Sequence, residues 1–359
     1  MARPSIVVKT KPRPYPVHTG RGLIARLPEL LRGAGLKERA VIVTDRRLRA
    51  GIAGQVVRAL KRAGWRTDIY ALPSGEAAKS FGELQKLYTF LLSRKIERRI
   101  PLLAVGGGTV GDAAGFAAAT YYRGIPLVHI PTTLLAQVDS AIGGKTAVNH
   151  PHAKNAVGAF YQPVLVAADT DALRTLPRAE LLAGLAEVVK YALVFDRAFA
   201  RWLETNWKAI LRGEHAPRAR MIRRCAELKA AVVAADERDL SGKRELLNFG
   251  HTIGHALEAA TGYRLLRHGE AVAWGMRAAI ALAKNRGWLA DAALADSLLA
   301  KLPAPRWSVG TARILDLLRG DKKVAGGKNV FILLKRIGAP RRKNDVTSAE
   351  IRRALKEIA

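Results

Sequence analysis

The stretch PLLAVGGGTVGD, residues 101–112, decides how the chain reads. A short apolar run meets three consecutive glycines, Gly106 to Gly108, and the small-residue segment AAGFAAATYY follows with helical texture. A strand that turns on glycine directly into a helix is the opening of a βαβ unit. Glycines at such a turn let backbone N–H groups approach a pyrophosphate closely, and the N-terminus of the following helix favours negative charge. The spacing is G-G-G-x-x-G-D, not the strict G-x-G-x-x-G, so the same residues also suit a tight turn with no ligand.

Similar short runs lie on both sides: AVIVTD at 40–45, TDIYAL at 67–72, PLVHI at 126–130 and PVLVAA at 163–168. Each is rich in Val, Ile, Leu or Ala, is bounded by Gly, Pro or charge, and reads as a buried strand. Helical patterns at 51–64 and 80–95 separate several of them. Strands alternating with helices predict a parallel sheet covered on both faces, a Rossmann-like arrangement. Asp45 ends one strand, where its carboxylate suits a ribose hydroxyl or, equally, the N-cap of a following turn. The texture changes near 170–178. Amphipathic patterns at 178–195, 215–235, 247–261 and 269–287 carry few strand signals. The expectation is an α/β class chain: an NAD-binding α/β domain over 1–172 and a mostly α-helical metal- and substrate-binding domain over 173–359.

The length of 359 residues fits two domains, and 49% hydrophobic with 25% charged residues is ordinary for a globular protein. A single cysteine, Cys225, rules out an intrachain disulfide and suits a reducing compartment. The start, MARPSIVVKTKPRPYPVHTG, has no apolar core of a secretory signal, and no uninterrupted apolar run is long enough to cross a bilayer. A cytoplasmic location is expected. Lys and Arg outnumber Asp and Glu 60 to 30, for a formal charge of +30. Such a field attracts anions. The basic residues are scattered, from Arg46-Arg47 to Arg341-Arg342-Lys343, and accompany no nucleic-acid-binding signature. No specific nucleic acid and no membrane partner are expected.

The segment LLNFGHTIGHALEAATG (246–262) sets His251 and His255 four residues apart, on one helical face and about 6 Å apart at Cβ. Paired histidines at this spacing suit zinc. A third histidine follows, His268, and Glu187 lies in the apolar segment AGLAEVVKYALVF, where an unpaired charge would be costly. A metal would offset that cost. Spacing alone leaves open which histidines would bind it.

Several stretches, taken together and in order, resemble 3-dehydroquinate synthases: GGGTVGDAAGFAAATYYRG, IPTTLLAQVDSAIGGKTAVNHP, KNAVGAFYQP, AGLAEVVKYALV, LNFGHTIGHALE, HGEAVAWGM and DKKV, with weaker similarity at PSGEAAKS (73–80). The resemblance implies that Glu187, His251 and His268 ligate a catalytic divalent metal, zinc or cobalt. It implies an NAD site at Ser74, Gly75, Glu76, Ala77, Ala78, Lys79, Gly108, Thr109, Val110, Gly111, Asp112, Thr132, Thr133, Lys145, Lys154, Ala172, Leu173, Arg174 and Thr175. Around the substrate it implies Asp139, Lys145, Asn155, Lys190, Lys229, Arg244, Asn248, His255 and one of Lys322 or Lys323. Arg123 matches an arginine that reaches the neighbouring subunit's site, so a homodimer is implied. Some positions depart from the family pattern. His152-Ala153 stands where Leu-Gly is common, Thr109 where Val is common, and DERDLSGKRELLN (236–248) is one residue longer than usual before Arg244.

The implied substrate is an anionic sugar-acid phosphate, 3-deoxy-D-arabino-heptulosonate 7-phosphate. Eliminating its phosphate means removing a proton from an unactivated carbon. Transient oxidation of the adjacent alcohol by NAD acidifies that C–H, and reduction and an intramolecular aldol closure complete the expected reaction. Lys145, Asn155, Asn248, His255 and the Lys322/Lys323 pair suit the phosphate, and Lys229 and Arg244 suit the carboxylate.

Overall fold

The computed structural model describes residues 6–36, 38–262, 265–289, 292–324 and 329–358; the side chains of 320–324 fall outside the described part. The chain opens with β1 (Ile6–Val8) and β2 (Tyr15–Gly20). The apolar runs read from the sequence form β3 (Arg39–Asp45), β4 (Arg66–Leu72), β5 (Leu102–Gly106) and β6 (Leu127–Pro131). After a hairpin of β7 (Lys145–His150) and β8 (Ala153–Phe160), the last of them forms β9 (Leu165–Asp169). Seven strands make one sheet in the order β1-β2-β9-β6-β5-β3-β4, parallel throughout except for the β1–β2 pair.

Helices cover both faces of this sheet, as its continuous hydrophobic strands require. Alternation along β3 sends Val41 and Val43 to one face and Ala40 and Ile42 to the other. The first face packs against α3 (Phe81–Ser93) through Leu84, Leu87 and Leu91, and against the small side chains of α4 (Gly108–Thr120). The second packs against α1 (Leu27–Gly33) and α2 (Ile52–Arg62) through Leu27, Leu31, Val56 and Leu60. Because the central strands are parallel, their C-terminal ends share one edge of the sheet. That edge carries Asp45, Leu72, Gly106, Pro131 and Asp169, and the loops after them are where ligands of such sheets sit.

Two compact units emerge. The first comprises residues 1–177 and 218–238, the second 178–217 and 239–359. The sequence boundary at 172/173 draws one crossing, whereas the chain returns to the first unit for 218–238. The reason is a buried stripe on α7 (His215–Ala235): Ala226, Ala230 and Val233 pack with Val8, Tyr15, Val17 and Val166.

The second unit contains α5 (Arg178–Phe195), α6 (Arg197–Arg212), α8 (His251–Ala260), α9 (His268–Asn285), α10 (Ala292–Ala300), α11 (Thr311–Val324) and α12 (Ser348–Ile358). One hairpin, β10 (Phe331–Arg336) with β11 (Ala339–Lys343), accompanies them. The class is therefore the expected one, a Rossmann-like parallel-sheet domain and a mostly helical one. Glycines set the helix spacing. A Cβ on Gly269 would lie 2.1 Å from the Ala183 carbonyl oxygen, and one on Gly275 would lie 1.8 Å from the Gly250 carbonyl oxygen. Helices α5, α8 and α9 approach at backbone contact because these methyls are absent. No helix among the described residues is long and apolar enough to cross a membrane.

Candidate active site

In the first unit, the glycine turn seats Gly107 as the N-cap of α4, whose first residues are Gly108, Thr109, Val110, Gly111 and Asp112. A Cβ on Gly107 would lie 3.0 Å from the Thr133 methyl, so the turn and the Thr132-Thr133 step after β6 are in contact. Asp45 caps the turn after β3, accepting from the Arg47 backbone N–H at 2.8 Å, and also accepts from Ser74 Oγ at 2.7 Å. Burial pushes its carboxyl up, but the hydrogen bonds from Arg47 and Ser74 win and hold it below the usual range. The capping reading of Asp45 is thus realised, with Ser74 tied to the same carboxylate.

Gly75, Glu76, Ala77, Ala78 and Lys79 form a 3-10 turn whose last residue is only 3% exposed. Lys79 Nζ donates to Asp112 Oδ2 at 2.6 Å and to the Asn155 side-chain oxygen, tying three separate candidate segments together. Burial pushes the Asp112 carboxyl up, and the Lys79 charge opposes it. Asn155 adopts a left-handed backbone at φ 56°, next to Lys154 on the exposed hairpin, while Lys145 begins β7. Ala172 and Leu173 are buried in the turn after β9, and Arg174 and Thr175 are exposed.

Asp139 sits on a π-helical turn after β6, a distortion common at functional sites, and forms an ion pair with buried Lys229 of α7. Tyr122, Arg123 and Gly124 all have positive φ, at 49°, 61° and 123°. Two consecutive non-glycine residues in this region are strained, and such strain concentrates at functional positions. Arg123 is exposed.

The second unit gathers the metal candidates. Glu187 lies on α5, fully buried; His251 is the first residue of α8 and His268 the first of α9. His251 Nε2 and His268 Nε2 each stand 3.6 Å from Glu187 Oε1. Ligand atoms of these three residues lie within 4.8 Å of one another. Lys190, one turn beyond Glu187 and 1% exposed, forms an ion pair with it. His255 is the next turn of α8, its ring 5.3 Å from that of His251, and is exposed. Buried Arg244 and exposed Asn248 delimit the 3-10 turn just before α8. The Lys322 and Lys323 side chains lie outside the described residues.

The donor set fits a divalent cation. Tetrahedral zinc with bonds of about 2.0–2.1 Å spaces its ligands roughly 3.4 Å apart, close to the separations here. His251 Nδ1 stands 3.2 Å from the Phe249 carbonyl oxygen, which can only accept, so Nδ1 carries the hydrogen and Nε2 the lone pair. Burial, then the Lys190 charge, pushes this imidazole down to about 3, so it is neutral at physiological pH. For His268, burial pulls down, but hydrogen bonds to Glu187 and Glu258 outweigh it and push it up to about 10. Two carboxylates thus flank one imidazole, with the Lys190 ammonium balancing one of them.

Glu258 was missed by the sequence reading. Its Oε2 lies 3.4 Å from His268 Nδ1, and a second cluster of His255, Glu258 and His268 shares that histidine. The signal was present: Glu258 follows His251 by seven residues, two helical turns on one face.

Residues 69–183 match the family described as 3-dehydroquinate synthase N-terminal, and 184–324 match its C-terminal counterpart. A 3-dehydroquinate synthase from Desulforamulus reducens is 41% identical over 351 residues, covering 96% of this chain and 97% of the relative. Among solved structures, a 2-epi-5-epi-valiolone synthase from Streptomyces hygroscopicus with NAD+ and Zn2+ bound superposes with a TM-score of 0.86 at 30% identity, covering 99% of both chains. A 2-deoxy-scyllo-inosose synthase complexed with carbaglucose-6-phosphate, NAD+ and Co2+ gives the same TM-score at 26% identity, covering 99% of this chain and 100% of that one.

Proposed function

Because the chain belongs to the 3-dehydroquinate synthase family, we propose that it converts 3-deoxy-D-arabino-heptulosonate 7-phosphate to 3-dehydroquinate and phosphate, a carbon–oxygen lyase step of the shikimate pathway, with NAD and a divalent metal, zinc or cobalt, as cofactors. The observation that carries this reading is the convergence of Glu187, His251 and His268. When bound, NAD supplies a transient oxidation that acidifies the C–H to be broken, and the ion supplies Lewis-acid polarisation of a substrate hydroxyl. The chain's own residues bind and orient. Glu187, His251 and His268 hold the ion, with Lys190 beside Glu187. His255, exposed and one turn from His251, holds or moves a proton at its imidazole.

Lys229 and Arg244 recognise the substrate carboxylate, Asp139 lies beside the substrate as the partner of Lys229, and an arginine fork adds geometric selectivity to charge. Lys145, Asn155, Asn248 and the Lys322/Lys323 pair bind the phosphate. The NAD site runs along the C-terminal edge of the sheet: Asp45, Ser74–Lys79, Gly108–Asp112, Thr132, Thr133, Lys145, Lys154 and Ala172–Thr175. The division of labour follows, with nucleotide binding in the N-terminal α/β domain and metal chemistry in the helical domain. A homodimer is supported by the strained Tyr122–Arg123–Gly124 segment, which presents Tyr122 at 52% exposure beside Arg123. A cytoplasmic location is supported by a single, buried cysteine.

The test is phosphate release from the heptulosonate phosphate before and after chelation, with absorbance followed at about 340 nm for the nicotinamide. Release should require zinc or cobalt, and no net NADH should accumulate. Full release by metal-free protein would sink the reading, and comparable turnover of sedoheptulose 7-phosphate, which lacks the carboxylate, would redirect it to a sibling cyclase.

A further inference from the structure

His251 and His268 stand at equal distance from Glu187 Oε1, but their other ring nitrogens are held differently. His251 Nδ1 faces a backbone carbonyl, that of Phe249, at 3.2 Å. His268 Nδ1 faces a side chain, Glu258 Oε2, at 3.4 Å. The two anchors do the same job in principle. An acceptor at Nδ1 fixes the tautomer, sets the ring plane and leaves the Nε2 lone pair for a cation. A backbone anchor survives any substitution, whereas a carboxylate anchor depends on one residue.

We propose that Glu258 is a positioning residue that orients His268 for the metal, completing a carboxylate–histidine–metal relay across two helices. The inference rests on the assignment of Glu187, His251 and His268 as ligands. Its support is geometric. Glu258 lies on α8, two turns from His251, so one helix carries a ligand and also the clamp for the ligand at the start of α9. Its side chain is only 14% exposed and that of His268 35%, so the contact is partly shielded from water.

The competing use of the same residues is a cation held by His255, Glu258 and His268, whose ligand atoms also lie within 4.8 Å of one another. Burial favours the first arrangement. Glu187 is fully buried and the His251 side chain 12% exposed, whereas His255 is exposed at the surface. The nitrogen that faces Glu258 is the one turned away from Glu187, so Glu258 reaches His268 from behind.

The test uses the full chain, stripped of metal and titrated with zinc against a chromophoric chelator, with cobalt absorption bands as a second readout. Glu258→Ala should weaken zinc binding about 10- to 100-fold, still at one equivalent, and should shift the cobalt bands. Glu258→Gln, which keeps an acceptor but no charge, should lose less. His255→Ala should keep wild-type zinc affinity, and Glu187→Gln should lose most of it. Thermal melting of the metal-free variants separates positioning from packing, because a merely structural glutamate would lower the apo melting temperature and leave the cobalt bands in place. Should Glu258→Ala disturb folding, Glu258→Gln carries the test. Zinc affinity within twofold of wild type in both Glu258 variants, with Glu187→Gln impaired, would overturn the proposal alone. Wild-type affinity in Glu187→Gln, with loss in His255→Ala and Glu258→Ala, would overturn the ligand assignment as well.

Discussion

Glycines do different work in the two units. At the turn into α4, a Cβ on Gly107 would meet the Thr133 methyl at 3.0 Å, a side chain that can rotate aside. Between α8 and α9, a Cβ on Gly275 would meet the Gly250 carbonyl oxygen at 1.8 Å, and backbone cannot rotate aside. The first glycine lets the turn into α4 pass close beside a side chain that can yield. The second keeps two helices close enough for His251 and His268 to face the same carboxylate. A glycine cluster in sequence is therefore ambiguous until its neighbour is known: one kind borders a side chain that can move, the other sets the spacing of two helices.

The largest effect should come from Gly275→Ala. With no side chain to yield, α8 and α9 must separate, and overpacking of this kind costs about 3 kcal/mol or more. Chemical denaturation should show that loss, and zinc content should fall with it. A variant with wild-type stability and metal content would break the contrast.

Next comes His129 on β6, buried beneath the first turn of α4, where a Cβ on Gly111 would lie 3.4 Å from its Cε1. Burial pushes this imidazole down to about 4 from an ordinary 6.5. The unfolded chain takes up a proton below pH 6.5 while the folded chain resists until about 4, so stability is fully present above 6.5 and falls as the pH drops through that window. The loss is about 3 kcal/mol at most. In His129→Leu that part of the acid limb should flatten; an unchanged pH profile of denaturation midpoints would remove His129 as its cause.

The smallest effect is expected for Gly107→Ala. Stability should stay within about 1 kcal/mol, because Thr133 can give way. NAD affinity, read by fluorescence titration, should nevertheless fall about tenfold, a loss of about 1.4 kcal/mol. Undiminished NAD affinity would mean the turn is merely a turn.

The centre of the first unit's sheet was legible because β3, β5, β6 and β9 are buried on both faces and read as runs rich in Val, Ile, Leu and Ala. Strands without that signature escaped. β8 is mostly exposed, β2 carries Pro16, His18 and Thr19, and β10–β11 follows a long helical stretch. Helix periods were visible at 178–195, 215–235 and 269–287, but periodicity says that a helix has an apolar stripe and not what covers it. Hence the return of 218–238 to the first unit was invisible. At the metal site, spacing flagged His251 and His255, the nearest pair along the chain. The structure faces His251 and His268 toward Glu187, the set that the family resemblance implied and that spacing alone left open, because it depends on packing between helices distant in sequence. Glu258 shares a helical face with His251, but that spacing does not show its partner His268, which lies on another helix.

Lys79, Lys190 and Lys229 are all buried, and each is clasped by a carboxylate, from Asp112, Glu187 and Asp139 respectively. On a chain with 21 lysines, that makes these three amines chemically quiet among many reactive ones. An acylating reagent would mark the exposed surface within its first exposure and reach these nitrogens only when their unit opens. Lys79 and Lys229 lie in the first unit and Lys190 in the second, so the order of their labelling gives a residue-level clock for which half of the molecule loosens first.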